Sequence, residues 1–75
     1  MKIYDYKVII EPDDSGGYVV SCPSFSGCYS QGDTIEGAIA NIREAILLCI
    51  EDIEEESEEI PDPSRSLIAT VMVEV

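Results

Sequence analysis

The side chains able to do chemistry here are few, and nearly all of one kind. The 75 residues carry 16 Asp and Glu against 4 Lys and Arg, with 3 Cys and no His, for a formal charge of −12. Without histidine, both the side chain that titrates near neutrality and the commonest transition-metal ligand are missing. The thiols of Cys22, Cys28 and Cys49 therefore have no imidazole to activate them. Their odd number, without a C-x-x-C pair, fits small buried hydrophobes in a reducing cytoplasm. Cys22 and Cys28 flank a five-residue loop, so a bridge between them stays geometrically open.

Carboxylates could in principle hold metals for hydrolysis, which requires several acids to converge from different elements. Asp5 and Glu11 share the first extended segment and Glu74 lies on the last, while Glu36 and Glu44 fall on a helical stretch where a cap and a solvent-facing position account for them. Neither Asp13-Asp14 nor the later Glu run has the ligand spacing of a calcium loop. No catalytic, cofactor-binding or metal-ligating residue is assigned. The charge also weighs against other classes. Four cations are too few to neutralise a nucleic-acid backbone, and an anionic membrane surface would repel the chain. No apolar run approaches the roughly 20 residues that span a bilayer.

What remains is the acidic run Glu51-Asp52-Ile53-Glu54-Glu55-Glu56-Ser57-Glu58-Glu59. It sits where a helix ends, and the negative end of the macrodipole prefers cations there. Four i,i+4 like-charge pairs (Glu51/Glu55, Asp52/Glu56, Glu54/Glu58, Glu55/Glu59) add a penalty on the order of 1–2 kcal/mol before screening. Such a run is either a solvated face or a docking surface for a strongly basic partner.

The elements that must carry these residues follow from the apolar periodicity. Residues 2–11 alternate, with Tyr4, Tyr6, Val8 and Ile10 on one face and Ile3, Asp5, Lys7, Ile9 and Glu11 on the other, a strand signature. Pro12 and Asp13-Asp14-Ser15-Gly16-Gly17 supply a hairpin turn. A second strand spans residues 18–22 and ends at Pro23. After the Ser24-Phe25-Ser26-Gly27 loop, a third spans 28–31 and stops at Gly32. Asp33-Thr34-Ile35-Glu36 reads as a capping box with Asp33 as the N-cap. The spacing of Ile35, Ala38, Ile39, Ile42, Ala45, Ile46, Cys49, Ile50 and Ile53 predicts one helix over about residues 34–56. Pro61 and Pro63 bar its continuation, and residues 66–75 alternate again as a last strand.

The expected fold is α+β, in the order β-β-β-α-β, as a single domain over residues 1–75. A right-handed crossover would set the last strand beside the first in sheet order 3-2-1-4, with the helix on one face. The uncovered face and a long, nearly uncharged edge strand call for a homo-oligomer.

At Gly16-Gly17-Tyr18-Val19-Val20 followed by Pro23, Gly27-Cys28, Gln31-Gly32-Asp33-Thr34 and Ala38…Asn41, with Ile60-Pro61-Asp62-Pro63-Ser64 further on, the sequence resembles the HicB-like antitoxin family. Ser26 and Gly37 depart from the family pattern, which has proline and often glutamate at these places. The resemblance implies a partly degraded ribonuclease-H-like fold. It also implies a partner: a HicA-like toxin, a small basic mRNA-cleaving ribonuclease with a catalytic histidine, bound and occluded by the acidic domain. Many members append a C-terminal DNA-binding module; this sequence carries none after residue 75, so no direct nucleic-acid contact is expected. Contact residues are sought in Asp13 and Asp14, in Phe25 and Tyr29 as exposed aromatics, and in Glu51, Asp52, Glu54, Glu55, Glu58 and Glu59. An orphan homo-oligomeric interaction module without a toxin, or a weak metal-dependent ribonuclease, are the alternatives.

Overall fold

The computed structural model describes residues 3–75; Met1 and Lys2, and with them the start expected for the first strand, lie outside the described residues. Strands β1 (Ile9–Pro12), β2 (Tyr18–Ser21) and β3 (Tyr29–Gly32) form an antiparallel sheet in the order β1-β2-β3. The register runs Ile9↔Ser21 to Pro12↔Tyr18, then Tyr18↔Gly32 to Ser21↔Tyr29. The first turn closes through the Asp13 amide on the Gly17 carbonyl (3.0 Å) and the Gly16 amide on the Asp13 carbonyl (2.9 Å). Gly16 and Gly17 stand there at φ +103° and +73°, angles that an L side chain resists.

Helix α1 (Ile35–Glu55) crosses one face of this sheet, packed against β2 and β3. Most of the expected stripe is covered, while Ile35 and Ile39 near its start are exposed. Ala38 and Ile42 are buried with Val20, Cys22, Phe25 and Cys28, and Ala45, Ile46, Cys49, Ile50 and Ile53 close around that core. The approach is tight at one point: a Cβ on Gly32 would lie 2.4 Å from the Ala38 amide nitrogen, so β3 must end in glycine for the helix to start where it does. Asn41 Nδ2 donates to the Gln31 carbonyl at 2.6 Å and ties the helix to that same strand.

Both helix ends differ from the sequence reading. The N-cap is Thr34, one residue later than Asp33: its Oγ1 accepts from the Gly37 amide at 3.0 Å. With the cap moved by one, Glu36 falls at the second helical position and no reciprocal box forms. At the far end Glu58 N donates to the Ile53 carbonyl (3.0 Å) and Ser57 N to the Glu54 carbonyl (3.1 Å), with Ser57 at φ 57°. This is a Schellman turn with serine in the left-handed position that glycine usually holds. Because the helix stops at Glu55, Glu54/Glu58 and Glu55/Glu59 are not neighbours on a helical face, and only Glu51/Glu55 and Asp52/Glu56 can repel as i,i+4 pairs at its end.

The largest departure is the fourth strand. Residues 66–75 join no ladder, and none of residues 67–75 takes part in a backbone–backbone hydrogen bond among the described residues. Among the described residues the sheet is therefore three-stranded, in the order β1-β2-β3, and no fourth strand completes the order 3-2-1-4. The link before it is well anchored. Tyr6 Oη donates to the Pro61 carbonyl (2.7 Å), Asp62 Oδ1 caps the short 3₁₀ turn Pro63–Arg65 through the Ser64 amide (3.0 Å), and the Ser24 and Ser66 hydroxyls meet at 3.0 Å. These contacts hold the chain at Ser66 beside the β2–β3 loop. Beyond it Leu67, Ile68, Val71, Met72, Val73 and Val75 stand out in solvent, Met72 at 96% exposure. The first strand is short for a related reason: residues 3–8 precede the ladder and pair with nothing in it.

Candidate partner-binding surface

The residues expected to meet a partner are not gathered in one place. Asp13 and Asp14 are exposed in the β1–β2 turn. That turn lies against the start of α1, where Asp13, Gln31, Gly32, Asp33 and Asn41 rim one polar hollow. Glu51, Asp52, Glu54, Glu55, Glu58 and Glu59, together with Glu56, are exposed at the other end of the helix. Twenty-one helical residues at 1.5 Å each separate the two zones by about 30 Å. The Schellman turn gives the acidic tip a defined shape, and no basic residue occupies the last helical turn.

The two aromatics part company. Tyr29 is 72% exposed at the start of β3. It borders a shallow hollow on the uncovered sheet face with Ile9, Glu11, Val19, Ser21 and Gln31. Phe25 is not a surface residue: it is 7% exposed, and its ring meets Tyr6 edge-on at 4.8 Å between centroids. The loop is tucked inward by the Phe25 amide on the Cys22 carbonyl (3.2 Å) and by the Cys22 amide on the Cys28 carbonyl (3.1 Å). A short loop so closed turns its one large apolar ring into the core. The three cysteines are free thiols. Burial, then the hydrogen-bonded neighbour Cys49, pushes the Cys28 thiol up to about 11, and burial likewise raises Cys22. Thiols so held are protonated near neutrality, which suits packing and not nucleophilic attack.

Among the described residues, no three Cys, Asp or Glu side chains stand together as a metal-ion cage, and no helix is long and apolar enough to cross a membrane. Asp5, Glu11 and Glu74 do not converge: Asp5 borders a groove beside the helix, Glu11 borders the hollow of the open sheet face, and Glu74 lies in the exposed C-terminal segment.

One surface was not anticipated. Tyr4, Tyr6 and Val8, on the segment before β1, form one wall of a mostly apolar groove of about 400 Å³, and Ile39, Ile46 and Leu47 of α1 form the other, with the charged Asp5 and Arg43 one on each wall. Leu47 and Leu48, both exposed, lie beyond the stripe that the sheet covers. Their excess over one helix face was the available signal.

Residues 6–74 match the HicB_like antitoxin of bacterial toxin-antitoxin system. The chain belongs to the HicB-like antitoxin family. A UPF0150 protein of Synechocystis is 50% identical over 60 residues, covering 80% of this chain and 76% of that one. Another, of Thermoplasma acidophilum, is 46% identical over 56 residues, covering 75% and 81%. Antitoxin HicB 1 of Photorhabdus laumondii is 40% identical over 58 residues, which make up 77% of this chain and 37% of that longer protein. Membership places the chain on the antitoxin side of a toxin–antitoxin pair, with a toxin as its partner in general.

Proposed function

We propose that this HicB-like chain neutralises a HicA-like toxin in the cytoplasm by covering the basic, RNA-binding face that carries the toxin's catalytic histidine, and that it breaks no bond itself. The observation that carries this reading is the acidic helix tip. Seven carboxylates stand exposed on a capped turn, on a chain whose net charge is −12. An anionic surface of this kind stands in for RNA phosphates, speeds encounter with a cationic enzyme, and competes for the same groups. Tyr29 and the open sheet face add apolar contact area, and Asp13 and Asp14 extend the negative field toward the other end of the helix. Self-association belongs to the same reading, since the chain exposes more apolar surface than a small monomer usually carries.

The test is co-expression with a basic, histidine-containing protein encoded beside this one. Rescue of growth, co-purification and stoichiometric loss of RNA cleavage are expected. Binding should weaken steeply with salt, and E54K/E55K/E58K should weaken it at least tenfold while helix content by circular dichroism stays unchanged. RNA cleavage that persists with the antitoxin in molar excess overturns the reading, as does metal-dependent cleavage by this chain alone that D5N abolishes.

A further inference from the structure

Two stretches of this chain have unused backbone, and they match. Residues 67–75 make no backbone–backbone hydrogen bond among the described residues and expose six large apolar side chains. Residues 3–8 enter no ladder, and β1 beyond them is an edge strand, paired on one side with β2. Together residues 3–12 offer a free edge about 33 Å long at 3.3 Å per residue, and residues 67–75 extend about 30 Å. Beside that edge lies the mostly apolar groove between Tyr4, Tyr6, Val8 and Ile39, Ile46, Leu47, which Asp5 and Arg43 also line. The face of the C-terminal segment with Leu67, Ala69, Val71, Val73 and Val75 is wholly apolar, whereas Thr70 and Glu74 interrupt the other.

We propose that two copies of this chain exchange their C-terminal segments. Residues 67–75 of each copy add as a fourth strand to the free edge of residues 3–12 in the other, with Val71 and Val73 filling the groove beside α1. The order 3-2-1-4 is then completed across two chains. The segment's own sheet does not take it: the contacts of Pro61 with Tyr6 and of Ser66 with Ser24 fix where it departs, and from there it runs into solvent. A second copy is the occupant that the chemistry favours. The segment carries a single charge, Glu74, so exchange joins two strongly acidic chains through nearly neutral strands and leaves both acidic tips free. The area also suffices. At roughly 60–120 Å² of apolar surface lost per large aliphatic side chain, two reciprocal exchanges cover on the order of 1,000–1,900 Å² counting both sides, within the range of stable interfaces. Short hinge loops are a known route to such exchange. Toxin binding is not needed for any of this, so the proposal and the antitoxin reading can fail separately.

The test uses the purified full chain without toxin. Sedimentation equilibrium should give twice the 8.2 kDa chain mass. In a sample mixed from isotope-labelled and unlabelled copies, filtered NOE spectra should connect residues 67–75 of one copy to residues 3–12 of the other. V71K, which puts an ammonium into the groove, should raise the dimer dissociation constant at least tenfold, and T70K on the other face by less than about threefold, both with helix content retained. If V71K unfolds, truncation after Arg65 should yield a species of single-chain mass. Three results overturn the proposal: a monomer at millimolar concentration, a dimer whose intermolecular contacts fall on Ile9, Val19 and Tyr29 instead, or a C-terminal segment that orders only when toxin is added.

Discussion

At the scale of single residues, Phe25 and Cys28 show how burial assigns roles. Phe25 occupies the core against Tyr6, so F25A should cost about 3–5 kcal/mol. That is comparable to the whole stability of a domain this size. Urea unfolding followed by circular dichroism should show the variant largely unfolded at 25 °C, whereas removing a surface contact would spare the fold. Cys28 predicts a pH dependence with a definite sign. Its thiol is raised from 9.0 to about 11, by burial first, so the unfolded chain ionises before the folded one does. The associated stability is complete below pH 9 and is lost as pH rises toward 11. Tyr6, raised by burial as well, acts in the same direction at higher pH. Melting temperatures between pH 8 and 11 should fall, and C28A should flatten the part of that slope between about pH 9 and 11.

At the scale of elements, the helix termini separate two readings of the same motif. Asp33 and Thr34 are both good cap residues, and only the hydrogen bond from the Gly37 amide to Thr34 decides between them. T34A should therefore destabilise by about 1 kcal/mol and D33A by only a few tenths, measured by chemical denaturation. At the other end Ser57 holds a positive φ that a side chain opposes. S57G should stabilise by about 0.5–1 kcal/mol, and an unchanged or lower denaturation midpoint would show that the Schellman turn does not persist in solution.

At the scale of the whole molecule, charge works against folding as it favours a basic partner. Twelve net negative charges and the surviving pairs Glu51/Glu55 and Asp52/Glu56 repel. Raising NaCl from about 0.01 M to about 1 M shortens the screening length from about 30 Å to about 3 Å. The free chain should then melt higher by several degrees, since about 1 kcal/mol moves a domain of this size by roughly 4–8 °C. The complex with a basic toxin should respond oppositely and dissociate more readily at high salt. Opposite signs in the two titrations distinguish a docking surface from a merely solvated one, for which the complex would be indifferent to salt.

The periodicity of Ile35 to Ile53, the glycines of the first turn and the bounding of residues 18–22 by Gly17 and Pro23 determined the helix and the hairpin, because each depends on neighbours within a few positions along the chain. The location of Phe25, the choice of Thr34 over Asp33 as cap, and the tight passage between Gly32 and Ala38 depended on tertiary packing. A ring, a cap and a Cβ-free approach are each decided by atoms that come from elsewhere in the fold. The C-terminal segment marks the boundary most sharply. Its alternation says that it is a strand, but a strand's hydrogen bonds lie outside itself, so its sequence could not say which edge it joins; the tertiary structure, by leaving it unpaired beyond Ser66, moved that question from one chain to two.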